Sequence, residues 1–423
     1  MRPEQRSPPR GERQPVRLRS RRVRHTENGL RSVPVGTTLA EIEGFFLGSG
    51  MEVQAHLLGR RPGRMGRAFL RYLSPAGRSK DRLTCGKGLS AGQAVASACV
   101  EFFERYCAGQ RADDSLRRAA FDEIAGEAVD PRRFGLAAGA GFEPGRPIDW
   151  IRGTSLTRST EVLVPANLVF CPYRLPRNVS PIAWTDSNGL AAGNNLEEAV
   201  LHGLLEVVER DAVMISEYNR LPFAGIAPEG LPDRCRPTLQ LLERAGFEWR
   251  FMAGATDLPF PFVAASLRHR DRTADRAVAF GCDVDPASAL TRALTEAVQV
   301  LPPSVNHAGW LRSGSPERYD RAPADVVRFA DLKGSTGPDL RKTIEACVEI
   351  LRSVGSEVLV VDLSLPEIPF PSVRVLVTGL QPIVHREDLR LSRRFFEVPV
   401  KLGLRKRPRR PASVKLWPLC GYR

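Results

Sequence analysis

No run of apolar residues in the sequence approaches the roughly 18 to 20 needed to span a bilayer, and the first thirty residues carry arginines where a secretory signal would carry its apolar stretch. A membrane span and a signal peptide are thereby excluded, and the cytoplasm is the expected compartment. Histidine is scarce, with six in 423 residues, and the eight cysteines (Cys85, Cys99, Cys107, Cys171, Cys235, Cys282, Cys347, Cys420) form no C-x-x-C pair and no metal-like cluster with the histidines. A zinc site is not expected. The thiols are read as reduced, several of them packed in helices as small hydrophobes. Acidic residues are few at one end and lacking at the other. Residues 1–32 hold ten Arg against three Glu, and residues 401–423 hold eight Lys and Arg with no acid. With +7 at one end and +8 at the other, the +14 total leaves about −1 for residues 33–400. The basicity belongs to the ends, so nucleic-acid binding is not expected of the body.

What is present is an ordinary globular composition, 42% hydrophobic and 26% charged. Residues 1–32 are rich in Pro, poor in aliphatics and without periodicity, and are expected to be a disordered basic arm. Residues 33–400 show no polar linker and are read as one large domain, followed by a basic tail over 401–423. Leu39, Ile42, Phe45 and Phe46 recur at helical spacing before Gly48-Ser-Gly50. Helices are expected over about 90–108, 196–218 and 286–301, the last opened by Pro286 and stopped by Pro302-Pro303. β-rich runs fall near 52–58, 66–73, 261–267, 277–282, 356–362 and 372–377. The mixture is α/β or α+β.

Aligning the three helices exposes a repeat. Gly88, Ala94, Val95, Glu101, Glu104 and Arg105 superpose without gaps on Gly193, Ala199, Val200, Glu206, Glu209 and Arg210. The third helix keeps Ala289, Ala293 and Glu296 but has Gln299 in place of the second carboxylate and no Arg, and reads as a degenerate copy. On a helix, positions three apart share a face, so each E-x-x-E presents two carboxylates to one point. Their neighbours are apolar: Val100, Phe102 and Phe103 in one copy, Leu204, Leu205, Val207 and Val208 in the other. A single copy would most simply be a solvated, salt-bridged face; three gapless copies in apolar sequence argue otherwise. Buried carboxylates need compensating charge, and two Arg do not neutralise four Glu. Oxygen ligands with no His or Cys nearby point to Mg²⁺ bridging carboxylates and nucleotide phosphates, with the arginines as bidentate phosphate donors. Gly86-Lys87-Gly88 has half the look of a phosphate loop, but G-x-x-x-x-G-K-[ST] is absent, and the triplet is as readily a plain turn.

At these residues the chain resembles the YcaO family. The motifs are Gly86-Lys-Gly88, Ser97-x-x-x-Glu101-x-x-Glu104-Arg105, Asn188-Gly-Leu-Ala-Ala-Gly-Asn194 leading into Glu206-x-x-Glu209-Arg210-Asp211, and Arg292-Ala-Leu-Thr-Glu296-x-x-Gln299. The resemblance covers most of residues 35–400. It implies an unusual ATP-binding fold without a Walker loop that phosphorylates the oxygen of a peptide backbone amide. It places Glu101, Glu104, Glu206 and Glu209 on Mg²⁺, and Ser97, Asn194, Arg210, Arg292, Glu296 and Gln299 on the nucleotide, with Arg105 either beside them or structural. It implies no protein nucleophile: a sulfur, oxygen or nitrogen nucleophile adds to the carbonyl, and ATP makes the oxygen a leaving group. Family members form azolines from Cys, Ser or Thr side chains, thioamides from external sulfide, or amidines from an amine. Arg390-Leu-Ser-Arg-Arg394 and Glu397-Val-Pro-Val-Lys-Leu-Gly-Leu404 resemble azoline-forming members, whereas the end, Trp417 to Arg423, is not their Pro-rich tail. Two other departures are Val300-Leu301 where an Arg usually follows the Gln, and no clear counterpart near Thr37-Thr38 of the N-terminal Lys and Ser contacts of some members.

The expected partners are a precursor peptide or protein, a leader-binding, ThiF-like or TfuA-like protein, and a second copy of the chain. No separate leader-binding domain is read ahead of residue 35, so peptide capture is expected to need the partner. Two other readings stand beside this one. The departures suit a catalytically silent nucleotide-binding scaffold, and the basic ends suit a nucleic-acid binder in which the carboxylate helices are bystanders.

Overall fold

The structure, a computed structural model, describes residues 13, 15–25, 29–49, 52–57, 64–73, 79–136, 141–176, 181–272, 275–301, 317–383 and 390–414, with backbone alone for 52–57, 64–73, 79–82, 317 and 412. Strands β1 (Glu52–Leu57), β2 (Arg64–Leu73) and β3 (Ser79–Gly88) form one sheet in that order. A second sheet contains β4 (Arg117–Ala119), β5 (Ile148–Ser155), β6 (Thr160–Pro165) and β7 (Leu190–Ala192). The third contains β8 (Phe223–Ile226), β9 (Phe247–Gly254), β10 (Phe262–His269), β11 (Arg276–Cys282) and β12 (Val326–Val327), in the order β11-β10-β9-β8-β12. Strands β13 (Val358–Asp362) and β14 (Ser372–Val377) complete the second sheet as β4-β5-β13-β14-β7, with β6 on β5. Among the described residues every pairing of these strands is antiparallel except β12 on β8. The mixture is therefore of the α+β kind.

The three repeat helices span Ala91–Cys107, Leu196–Asn219 and Pro286–Gln299, here called the first, second and third motif helices. Each starts where a short polar side chain can accept from the first free N–H groups: Ser90, Asn195 and Asp285 accept from Gln93, Glu198 and Ser288 respectively. Each lies on its own sheet and reaches the next. The first packs on β1–β3 and touches β7 and β14; the second packs on β7 and β14 and touches β11; the third packs on β10 and β11 and touches β2 and β3. The repeat read from sequence is thus a ring of three strand-and-helix units.

Close approach within a unit depends on missing side chains. A Cβ at Gly86 of β3 would stand 2.1 Å from both Ala94 O and Ala98 N, and one at Gly281 of β11 would stand 2.2 Å from Ala289 O and 2.7 Å from Ala293 N. The strand glycine and the two helix alanines keep the same spacing in both copies. The second motif helix makes its contact with its own glycine instead, where a Cβ at Gly203 would meet Gly189 O and Val375 Cγ2 at 2.9 Å. Apolar burial then fixes the helices: Leu204, Leu205, Val208 and Met214 join Val373 and Val375 in one core. In another, Phe103 stacks between Phe46 and Phe370.

The ends differ from expectation. Residues 15–25 and 29–32, read as part of a disordered arm, lie on the body: Val16 and Leu30 are buried, and Val16 N, Val23 N and Leu340 N make hydrogen bonds to Thr154 Oγ1, Pro338 O and Arg21 O. Two isolated apolar anchors and backbone hydrogen bonds do this without any periodic pattern. Residues 1–12 and 14 lie outside the described residues, as do Cys420 and the departure at Trp417 to Arg423. Within the basic tail, Arg405 and Arg409 donate to Asn219 O and Tyr218 O, carbonyls at the C-terminal end of the second motif helix, where cations suit the helix dipole. Among the described residues no helix is long and apolar enough to cross a membrane.

Candidate functional site

The ring of three helices encloses a cavity of about 610 Å³. All eleven residues singled out from sequence line it: Ser97, Glu101, Glu104 and Arg105 from the first helix; Asn194, Glu206, Glu209 and Arg210 from the second and the loop before it; Arg292, Glu296 and Gln299 from the third. Lys87, at the end of β3, lines it too and pairs with Glu296.

The carboxylates arrive with more counter-charge than the repeat alone suggests. Arg105 reaches Glu101 Oε1 and Glu104 Oε1, both at 3.4 Å, and Arg210 reaches Glu206 Oε1 at 3.6 Å. Arg292 donates to Glu209 Oε2 at 3.2 Å, which also accepts Cys282 N at 3.0 Å. Glu101 Oε2 accepts Cys85 N at 3.2 Å, and Gln299 Nε2 donates to Cys85 O at 3.2 Å, tying the third helix to β3. Four glutamates facing only two arginines is therefore corrected: Lys87, Arg292 and Arg31 line the same space.

The balance is uneven from one carboxyl to the next. Burial pushes Glu104 up to about 8, and Glu206 and Glu101 push the same way against Arg105. Burial also raises Glu206. For Glu209 the burial effect is outweighed by Arg292, Arg210 and Lys87, and its carboxyl lies below the ordinary range. Burial, then Arg292, brings Lys87 down to about 7. Arg292 Nε is buried without a hydrogen-bond partner among the described residues. Facing carboxyls that resist ionisation, next to an unpaired guanidinium N–H, suit a bound cation together with an anionic group.

Several lining residues escaped the sequence reading. Glu198 and His202 precede Glu206 at four-residue steps on the second helix, so one stripe carries all three, and that spacing is legible. Burial, then Arg292, Arg31 and Lys87, holds His202 well below its ordinary pKa, a neutral imidazole. With His202, Cys85 and Cys171 in the wall, the expectation of no His or Cys nearby is also corrected. Arg31 and Thr38 supply the wall for which no N-terminal counterpart was read; Thr38 Oγ1 donates to Asn194 Oδ1 at 2.7 Å. Neither has a local sequence signal.

Comparison with known proteins decides the family. The family profile described as YcaO cyclodehydratase, ATP- and Mg²⁺-binding, matches residues 85–381. The chain belongs to the YcaO family. The solved YcaO of Methanopyrus kandleri, bound with AMPPCP and Mg²⁺, is 30% identical with a TM-score of 0.66, the match covering 85% of this chain and 94% of that one. A heterocyclase solved in complex with substrate and cofactor is 25% identical with a TM-score of 0.82, over 97% of this chain. This chain spans 59% of that heterocyclase's length. A Rhizobium leguminosarum bv. trifolii protein from the tfuA 3′ region is 31% identical over 338 residues, 73% of this chain and 79% of its own.

Proposed function

We propose that this YcaO protein uses ATP and Mg²⁺ to activate backbone amides of a ribosomally made peptide by O-phosphorylation. The observation that carries this is the cavity itself, where carboxylate pairs from two repeat helices meet Arg292 of the third, with its buried and unpartnered Nε. An unsatisfied buried donor costs about 1–3 kcal/mol, and a phosphate oxygen is the acceptor that suits a guanidinium. Glu101, Glu104, Glu206 and Glu209 are the residues that would hold Mg²⁺. Mg²⁺ usually takes one or two carboxylates plus phosphate oxygens and water. Among the described residues no three His, Cys, Asp or Glu side chains stand close enough together to hold a metal by themselves, so phosphate oxygens and water would have to complete its coordination.

When bound, ATP and Mg²⁺ supply a phosphoryl group that makes the amide oxygen a leaving group, and positive charge beside it. This chain's part is positioning and charge. Arg210, Arg292 and Lys87 present donors to phosphate oxygens, and Ser97 and Asn194 orient the nucleotide. Arg105 braces Glu101 and Glu104 from within their helix, and Gln299 and Glu296 hold β3 and Lys87 against the third helix.

Thioamide formation from external sulfide, with a TfuA-like partner, is the reaction we favour. The relative from the tfuA 3′ region supports it, being 31% identical and matched over 79% of its own length. Azoline formation, with a leader-binding or ThiF-like partner, is the second reading, supported by the TM-score of 0.82 to the heterocyclase. The test combines the full chain with precursor peptide, candidate partner, sulfide and Mg-ATP, reading phosphate release and peptide mass. Exchange of one oxygen for sulfur marks the first reaction, and loss of one water the second. Nucleotide binding without either would favour the silent scaffold. Undiminished turnover by both Glu101→Gln and Glu206→Gln would overturn the assignment.

A further inference from the structure

The second motif helix opens on two adjacent carboxylates, Glu197 and Glu198, that are 2% and 1% exposed. They serve different partners. Glu198 lines the cavity, accepting Ser32 N and Ser32 Oγ at 2.7 Å each and Asn194 Nδ2 at 2.7 Å, with Arg31 Nε at 3.9 Å. Glu197, which is not among the cavity-lining residues, accepts Arg19 N at 2.6 Å and Arg21 Nε at 3.4 Å. One turn of helix therefore grips the N-terminal strap at two places, and the later grip delivers Arg31 into the cavity wall. Leu340 N donating to Arg21 O, and Ser20 Oγ donating to Asp339, tie the same stretch of the strap to the start of the helix Leu340–Ser353.

We propose that Glu197 is a positioning residue for the nucleotide. By seating Arg19 and Arg21 it holds the strap so that Ser32 docks on Glu198 and Arg31 completes the cavity wall, making strap docking and nucleotide binding one linked equilibrium. This rests on the cavity being the nucleotide site. A carboxylate can accept from both strap donors with its two oxygens, and its charge strengthens both bonds. Gln keeps the shape but turns an NH₂ group toward one of the donors, so the grip loosens without emptying the space. By linkage, whatever strap docking adds to nucleotide affinity the nucleotide returns to strap docking.

The strap carries its own probe, because Arg17, Arg19, Arg21, Arg22, Arg24 and Arg31 are trypsin sites. The full chain is digested with and without a non-hydrolysable ATP analogue and Mg²⁺, cleavage is located by mass spectrometry, and analogue affinity is measured by calorimetry. The analogue is expected to slow cleavage between residues 15 and 31 by about tenfold in the unaltered chain, a usual size for coupling between sites. Glu197→Gln is expected to speed that cleavage and weaken the analogue by about the same factor, with cleavage at Arg244 and Arg352 unchanged as the control for an intact fold. Analogue binding that leaves strap cleavage untouched, or a Glu197→Gln chain that binds as tightly as the unaltered one, overturns the inference alone. If the analogue does not bind the unaltered chain, the nucleotide reading falls and takes the inference with it. Should Glu197→Gln not fold, protection of the unaltered strap decides the matter.

Discussion

Replacing Glu104 by Gln separates what the carboxylate cluster costs without a cation from what it does with one. In the folded chain, burial and the facing Glu206 and Glu101 push this carboxyl to about 8, against an ordinary 4.5. Its side chain is only 13% exposed, so solvent screens it little. Between about pH 4.5 and pH 8 the unfolded chain has lost this proton while the folded chain keeps it, so folding binds a proton throughout that interval. Stability without Mg²⁺ and nucleotide therefore falls as pH rises through the window and levels off above it. At about 1.4 kcal/mol per pH unit the loss reaches the order of 5 kcal/mol. Gln cannot ionise and escapes it. With an unfolding entropy of roughly 2 cal/mol/K per residue, a chain of this length moves by about 6 °C for that free energy. The assay is the melting temperature at pH 5 and pH 8.5, each with and without Mg²⁺ and a non-hydrolysable ATP analogue. Without ligands, Glu104→Gln should melt within about 1 °C of the unaltered chain at pH 5 and about 5 °C above it at pH 8.5. With ligands at pH 8.5, the unaltered chain should gain and the variant should not. A gap that does not widen with pH, or equal gains from the ligands, would refute the reasoning.

Three further outcomes are expected. Gly86→Ala puts a methyl group 2.1 Å from the first motif helix backbone, and should cost about 3 kcal/mol in urea unfolding by overpacking; an unchanged midpoint would mean the helix is free to shift. Arg394 bridges Asp211 and Asp257, whose side chains are 1% and 3% exposed. Arg394→Ala should lose about 3–5 kcal/mol by leaving buried charge uncompensated, read from the same unfolding curves. Arg292→Lys keeps the charge but not the fork, and should weaken analogue binding about tenfold by calorimetry, with the melting temperature of the ligand-free chain little changed.

Much of this molecule is legible because its information is repeated. The motif helices expected from sequence come within about two residues of their observed ends, since caps at Ser90, Asn195 and Asp285 and small residues at fixed spacing mark each copy. The cavity residues follow from the same register, because three copies with one local geometry present equivalent positions to the centre. What lies hidden comes from single, non-repeating contacts. The strap has no amphipathic period, only Val16, Leu30 and hydrogen bonds to residues far along the chain. Arg31 enters the cavity on that scaffold and Thr38 in the first turn of the helix Val35–Ser49, and neither carries a motif of its own. Short strands such as β4 and β7, three residues each, bury too little to leave a pattern. Glu198 and His202 stand in plain view on the same stripe as Glu206, yet their four-residue spacing falls outside the three-residue carboxylate pairs by which the repeat is recognised.

Locating the cation tests the central claim most directly. Crystals of the full chain grown with Mn²⁺ in place of Mg²⁺ and a non-hydrolysable ATP analogue would show the metal by its anomalous scattering. The predicted peak lies within coordination distance of carboxylate oxygens from both pairs, Glu101 or Glu104 on one helix and Glu206 or Glu209 on the other, with the analogue's phosphates beside Arg292. A nucleotide bound with its metal elsewhere, or held in the cavity with none of these carboxylates on the metal, would contradict it.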